Sequence, residues 1–141
     1  MSDKRLIKAL SIREPWATAI AEGGKTIETR SWSTPYRGPL LICASKAFDE
    51  HALPVAAEGA GLPVEQVRAG LTPRLGKAIA IANLIDCRPM APADEEAALC
   101  GCGPGLFAWV LTDVQPIPHF PVKGKLGLFD ARLPGEGESH D

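Results

Sequence analysis

Apolar and polar positions divide this chain into short runs set off by glycines and prolines. Leu6 to Leu10 reads as an opening strand that ends at Ser11. Pro15 suits the first turn of a helix, where its missing N–H is no loss. That helix runs over Trp16, Ala17, Ala19, Ile20 and Ala21, with Trp16 and Ile20 sharing a face. Gly23 and Gly24 stop it, because glycine enters the left-handed region freely. Lys25 to Trp32 follows as a strand. Alternation puts Thr26, Glu28, Arg30 and Trp32 on one face and Lys25, Ile27, Thr29 and Ser31 on the other. Neither face is cleanly apolar. The bland reading is an Ile27/Thr29 core face with a solvated Glu28–Arg30 pair outside, which contributes little; the sharper one is a strand whose broken pattern marks a site.

Tyr36 to Pro39 reads as a turn, and Leu40 to Ala44 as a wholly apolar strand buried on both sides, from which Ser45 and Lys46 emerge. Residues 47–75 are helical and loop-like: Pro54 interrupts one pattern, and Leu62-Pro63-Val64 opens another. This Ala-, Gly- and Pro-rich insert carries no evident chemistry, and His51, beside Asp49 and Glu50, fits a solvated face. Lys77 to Asp86 is the next strand. Pro92 to Leu99 is a short helix with acids in its first turn, and 101–105 is a glycine-rich loop without the lysine of a phosphate-binding loop. Leu106 to Val114 has high strand propensity, and the latter half of 122–129 should close the sheet. Strands dominate without regular strand–helix alternation. The expected fold is mixed α+β, mainly β: a small barrel of five or six strands with short helices between them.

Composition narrows the function. At 141 residues the chain is sized for one domain with a real core, which we assign to residues 1–133, with 134–141 as a flexible acidic tail. No apolar run approaches the roughly 20 residues that span a bilayer, and the start lacks a signal peptide's apolar region, so a cytoplasmic protein without a membrane partner is expected. The net charge is −2 and the last eight residues carry −3, which leaves +1 for residues 1–133. From Arg13 to Lys46, five basic residues face three acidic ones. That local bias suits a short single strand or a small ligand better than a long duplex. Of the four cysteines, Cys43 and Cys87 lie in apolar runs, and Cys100-Gly101-Cys102 lacks zinc-knuckle spacing even with His119 to help. No metal ligand set or cofactor is therefore assigned, and oligomeric state stays open.

Charged groups and aromatics crowd the first third of the chain: Arg13, Trp16, Lys25, Glu28, Arg30, Trp32, Tyr36, Arg37 and Lys46. Arg and Lys can meet phosphates, Trp and Tyr offer stacking faces for unpaired bases, and Glu28 could accept from an exocyclic amine. Trp16, at the start of an amphipathic helix, is more often core than platform. Lys25 with Glu28 could instead form a base or nucleophile-activating pair.

These residues resemble the ASCH (activating-signal-cointegrator homology) domain of the PUA-like superfamily. The likeness rests on Ser11-Ile-Arg-Glu-Pro-Trp16, on Gly24-Lys25-x-x-Glu28-x-Arg30-x-Trp32, and on Tyr36 to Ile42 with Ala44-Ser45-Lys46. Ile81 to Cys87, and Phe120 to Gly124 with Leu128-Phe129, extend it. The resemblance implies a PUA-like barrel with an RNA-binding cleft beside the first helix. It adds Ser45 and Lys123 to the candidate ligand-binding residues, with RNA or a modified nucleoside as partner. Some relatives are amidohydrolases acting on acylated cytidine, and ribonuclease activity, with a possible divalent metal, has been proposed for others. On that alternative Lys25 and Glu28 are the catalytic candidates. The amidohydrolase subgroup carries threonine where this chain has Glu28; Thr26 and Thr29 occupy neighbouring positions.

Overall fold

The computed structural model describes residues 5–135; the acidic end, 136–141, lies outside the described residues. Six strands form a single sheet: β1 (Leu6–Glu14), β2 (Ile27–Arg30), β3 (Gly38–Phe48), β4 (Lys77–Pro89), β5 (Phe107–Pro121) and β6 (Phe129–Arg132). Their order is β2-β5-β4-β3-β1-β6, with β1 and β3 parallel and the other neighbours antiparallel. Four short helices sit between them: α1 (Trp16–Ala21), α2 (Leu53–Ala60), α3 (Val64–Leu71) and α4 (Glu95–Ala98).

The mixed, mainly β class agrees with the sequence reading, and six strands were within it. The closed barrel does not. β2 and β6 are the ends of the order, and no ladder joins them. The reason lies in strand length. β6 pairs with β1 only as far as Ala9, and β2 spans four residues against β5. The C-terminal half of β1 is thus left without a strand on that side. A side chain bridges the gap instead: Arg30 Nη2 donates to the Ser11 carbonyl at 2.8 Å.

β3 is the hinge of the core. Its even positions, Leu40, Ile42 and Ala44, pack with Leu10, Ile12, Leu84, Trp109 and α1 on one face. Its odd positions, Leu41 and Cys43, pack with Ala9, Ala78, Phe120 and Phe129 on the other. All five are essentially inaccessible, as an apolar run without alternation requires. Burial alone pushes the Cys43 thiol up to about 12. A third cluster of Ile27, Met90, Ala98 and Ala108 fastens β2 and α4 together, and the Thr26 N–H donates to the Ala97 carbonyl at 3.0 Å.

Candidate functional site

The first helix is held by an unusual partner. Its N-cap position is Pro15, which has no capping side chain. Glu14, wholly buried, takes over: one carboxylate oxygen accepts from the Thr18 N–H at 2.8 Å and the other from the Thr18 hydroxyl at 2.6 Å. Burial raises the Glu14 pKa, and the two Thr18 bonds oppose the rise. α1 therefore starts at a fixed angle, and Trp16 stands at its first position. The Trp16 indole donates to Asp49 Oδ2 at 2.8 Å, a bond that holds the Asp49 carboxyl below its usual range.

At the other end of α1, Gly23 adopts a φ of 87°, open to glycine at no steric cost. The chain turns back, and the Lys25 N–H reaches the Ala19 carbonyl. Lys25 then enters the interior, where it is 2% exposed. Its ammonium donates to the carbonyl of Ala98, the last residue of α4, an orphan acceptor at a helix end. The ammonium also lies 4.8 Å from the centre of the Trp16 ring and 3.9 Å from Glu28 Oε1. Burial lowers the Lys25 pKa, and the Glu28 carboxylate works against that shift. Glu28 itself is 6% exposed, so the solvated-pair reading of β2 fails. Its Oε2 accepts from Arg30 Nε at 3.1 Å and Nη2 at 3.0 Å, and its Oε1 accepts from the Thr29 N–H at 3.2 Å.

These groups surround one hollow of about 590 Å³ in the gap between β1 and β2. Arg13, Trp16, Lys25, Glu28, Arg30 and Ser45 all line it. Lys25 and Glu28 meet there although strand alternation assigned them to opposite faces. Lys25 precedes β2, which begins at Ile27, so its side chain is not bound by that alternation.

The remaining candidates lie elsewhere. Trp32 packs edge-on against Trp109, with ring centres 4.8 Å apart. Tyr36 donates its hydroxyl to the Pro39 carbonyl at 2.5 Å. Arg37 donates to the Thr34 and Tyr36 carbonyls and pairs with Asp86 at 3.7 Å. Lys46 and Lys123 line a second, adjoining hollow. The first hollow has further walls the sequence reading did not single out: Ser11, Thr29, Asp49, Cys100 and Lys125. Glu50-His51 next to Asp49 hid its role, because the Asp49–Trp16 bond spans 33 residues. Cys100 Sγ lies 3.7 Å from the Thr29 hydroxyl, and the Cys102 thiol faces the Met90 carbonyl. Among the described residues, no three His, Cys, Asp or Glu side chains are grouped to share a metal ion.

Set beside known proteins, the sequence model of the ASCH domain matches residues 10–120, most of the chain and every wall of the first hollow except the 125–127 loop. The chain belongs to the ASCH domain family. Activating signal cointegrator 1 of Homo sapiens is 50% identical over 36 residues, 26% of this chain and 6% of that protein. The Mus musculus protein of the same name matches to the same extent. The chain thus corresponds to a small part of those relatives. The crystal structure of ASCH from Zymomonas mobilis superimposes with a TM-score of 0.58 at 17% identity, covering 89% of this chain and 87% of that one. A single-site variant of it gives 0.55 at 16% identity, over 89% of each chain. These likenesses establish the ASCH fold. Among the described residues, no helix is long and apolar enough to cross a membrane.

Proposed function

We propose that this ASCH protein binds single-stranded or modified RNA, with an unpaired base in the hollow between β1 and β2. ASCH domains are associated with RNA binding. The observation that carries the reading is the convergence of Lys25, Glu28 and Arg30 with the Trp16 ring on one cavity. Burying a cation and a carboxylate is expensive unless they are paired and hydrogen-bonded. Here Arg30 and the Ala98 carbonyl supply those partners. The result is a preorganised polar wall beside an aromatic one, the combination that a splayed-out base needs for edge recognition and stacking. Arg13 and Lys125 at the rim are exposed cations suited to phosphate.

The test is fluorescence anisotropy with a labelled pool of short single-stranded RNAs. The wild type should bind with an affinity that falls as salt rises, and Arg30→Ala should weaken binding by about tenfold, roughly the effect of removing one charge-assisted hydrogen bond. A wild type that binds no RNA in a salt-sensitive manner refutes the proposal. A hydrolase on the same hollow has one specific support, the lowered pKa of Lys25 beside Glu28. Thr29, which lines the hollow, is the threonine available to it, since Thr26 is exposed and does not line it. Incubation with acetylated cytidine distinguishes the two: turnover that Lys25→Met abolishes would favour the enzyme.

A further inference from the structure

The second hollow, of about 360 Å³, adjoins the first; Ser11, Ser45, Lys125 and Leu126 line both. Its own additions include Lys46 and Lys123, and no carboxylate lines it. Several cations elsewhere on the molecule are paired with carboxylates: Lys8 with Asp130 at 2.9 Å, Arg68 with Glu50 at 2.8 Å and Arg88 with Asp94 at 2.7 Å. Among the described residues, Lys46, Lys123 and Lys125 make no such pair, and all three are exposed. Three like charges around one concavity repel one another, and an anion removes that cost while releasing its own counterions.

The loop that carries two of them runs close to β1. A Cβ at Gly124 would come 2.8 Å from the Ser11 hydroxyl, which would have to turn aside for any larger residue. Lys123 and Lys125, on either side of it, are thereby presented to the second hollow, and Lys125 to both. Gly76, at a φ of 75°, lies under the Lys46 side chain: a Cβ there would stand 3.2 Å from Lys46 Cε. Leu126, fully exposed, caps the ridge between the hollows.

We propose that the second hollow takes the phosphate next along the strand from the nucleotide held in the first. The ligand is then an oligonucleotide of at least two residues, and a free nucleoside fills only half of the site. This inference rests on the RNA-binding reading above. Its test compares the wild type, Arg30→Ala and the double variant Lys46→Gln/Lys123→Gln in anisotropy titrations of a fluorescein-labelled, random-sequence single-stranded RNA hexamer pool at several salt concentrations. Both lysines are exposed, so the double variant should melt at the wild-type temperature. It should bind several-fold more weakly at low salt, with the slope of log affinity against log salt reduced by about 0.7 for each phosphate that the variant no longer neutralises. If the wild type binds and Arg30→Ala is impaired while the double variant keeps wild-type affinity and slope, the phosphate subsite is wrong and the base-binding hollow stands. A wild type that does not bind the pool overturns both.

Discussion

At Lys25 three interactions compete for one ammonium group. The Ala98 carbonyl and the Trp16 face hold it, the Glu28 carboxylate attracts it, and burial works against its charge. Burial prevails and the pKa falls. With the folded value below the unfolded one, the native state binds fewer protons between the two, so stability rises with pH across that window, up to the ordinary lysine value of about 10.4. Cys43 has the opposite sign: its thiol, pushed up to about 12, keeps a proton that the unfolded chain releases above about 8.5, and stability falls there. A difference experiment removes the second effect. Lys25→Met keeps the packed stem and drops the charge. Glu28 retains Arg30, so no carboxylate is stranded, but the buried Ala98 carbonyl loses its donor, and the cost near pH 7.5 should be about 1–3 kcal/mol. Urea unfolding from pH 7.5 to 10.5 should then show the wild type gaining on the variant; parallel curves would mean that the ammonium is not desolvated. Lys25, Glu28 and Arg30 were legible because charged residues interrupted an apolar rhythm. Asp49 and Lys125 were not, since they reach the hollow from distant segments with nothing local to mark them. Trp32 and Arg37 carried the same local signal as true wall residues, yet spend it on Trp109 and on nearby carbonyls.

Among the elements, α1 has the most to lose from a single change. Glu14→Ala removes both acceptors of its first turn, leaving the Thr18 N–H and hydroxyl without that partner inside the fold. A lost cap costs about 1–2 kcal/mol, and since Trp16 sits on that turn, RNA binding should weaken along with the urea midpoint. Normal binding by a destabilised variant would uncouple helix start from hollow. The sequence pattern identified α1, β3 and most of β4, whose apolar runs and stop signals are strong. It ended β5 at Val114, because Pro116, Pro118 and Pro121 argue against a strand. They are tolerated because β2 pairs only with Phe107 to Val110. Beyond that point β5 is ladder-bonded to β4 alone, and edge positions can do without an N–H. The closing strand was placed too early for a similar reason. Val122 to Leu128 looks extended, but the four-residue alternation that buries Phe129 and Ala131 begins only where that loop ends.

On the scale of the whole molecule, the unclosed sheet sets what kind of nucleic acid the proposed site would admit. Closure would have joined β1 to the strand opposite and removed the gap that Arg30 now spans. The barrel expectation failed for want of strand length, which apolar periodicity cannot report, and the site occupies the resulting opening. The groups proposed for recognition are recessed: Lys25 and Glu28 are buried, while the exposed cations Arg13, Lys46, Lys123 and Lys125 lie outside them. A duplex could touch those cations but could not deliver a base edge to the recess without unpairing, at a cost of a few kcal/mol. The net charge of −2 supplies no general attraction to make up the difference. A single-stranded RNA 12-mer should therefore bind at least about tenfold more tightly than the duplex of the same sequence, given that unpairing cost. Both affinities should fall between about 50 and 200 mM salt, the duplex more steeply, because its contacts would be almost wholly to phosphate and its slope per contact is larger. Anisotropy titrations of the two forms at both salt concentrations measure this directly. Equal affinity for the duplex would mean that the exposed cations alone account for binding and that the recess between β1 and β2 holds no base.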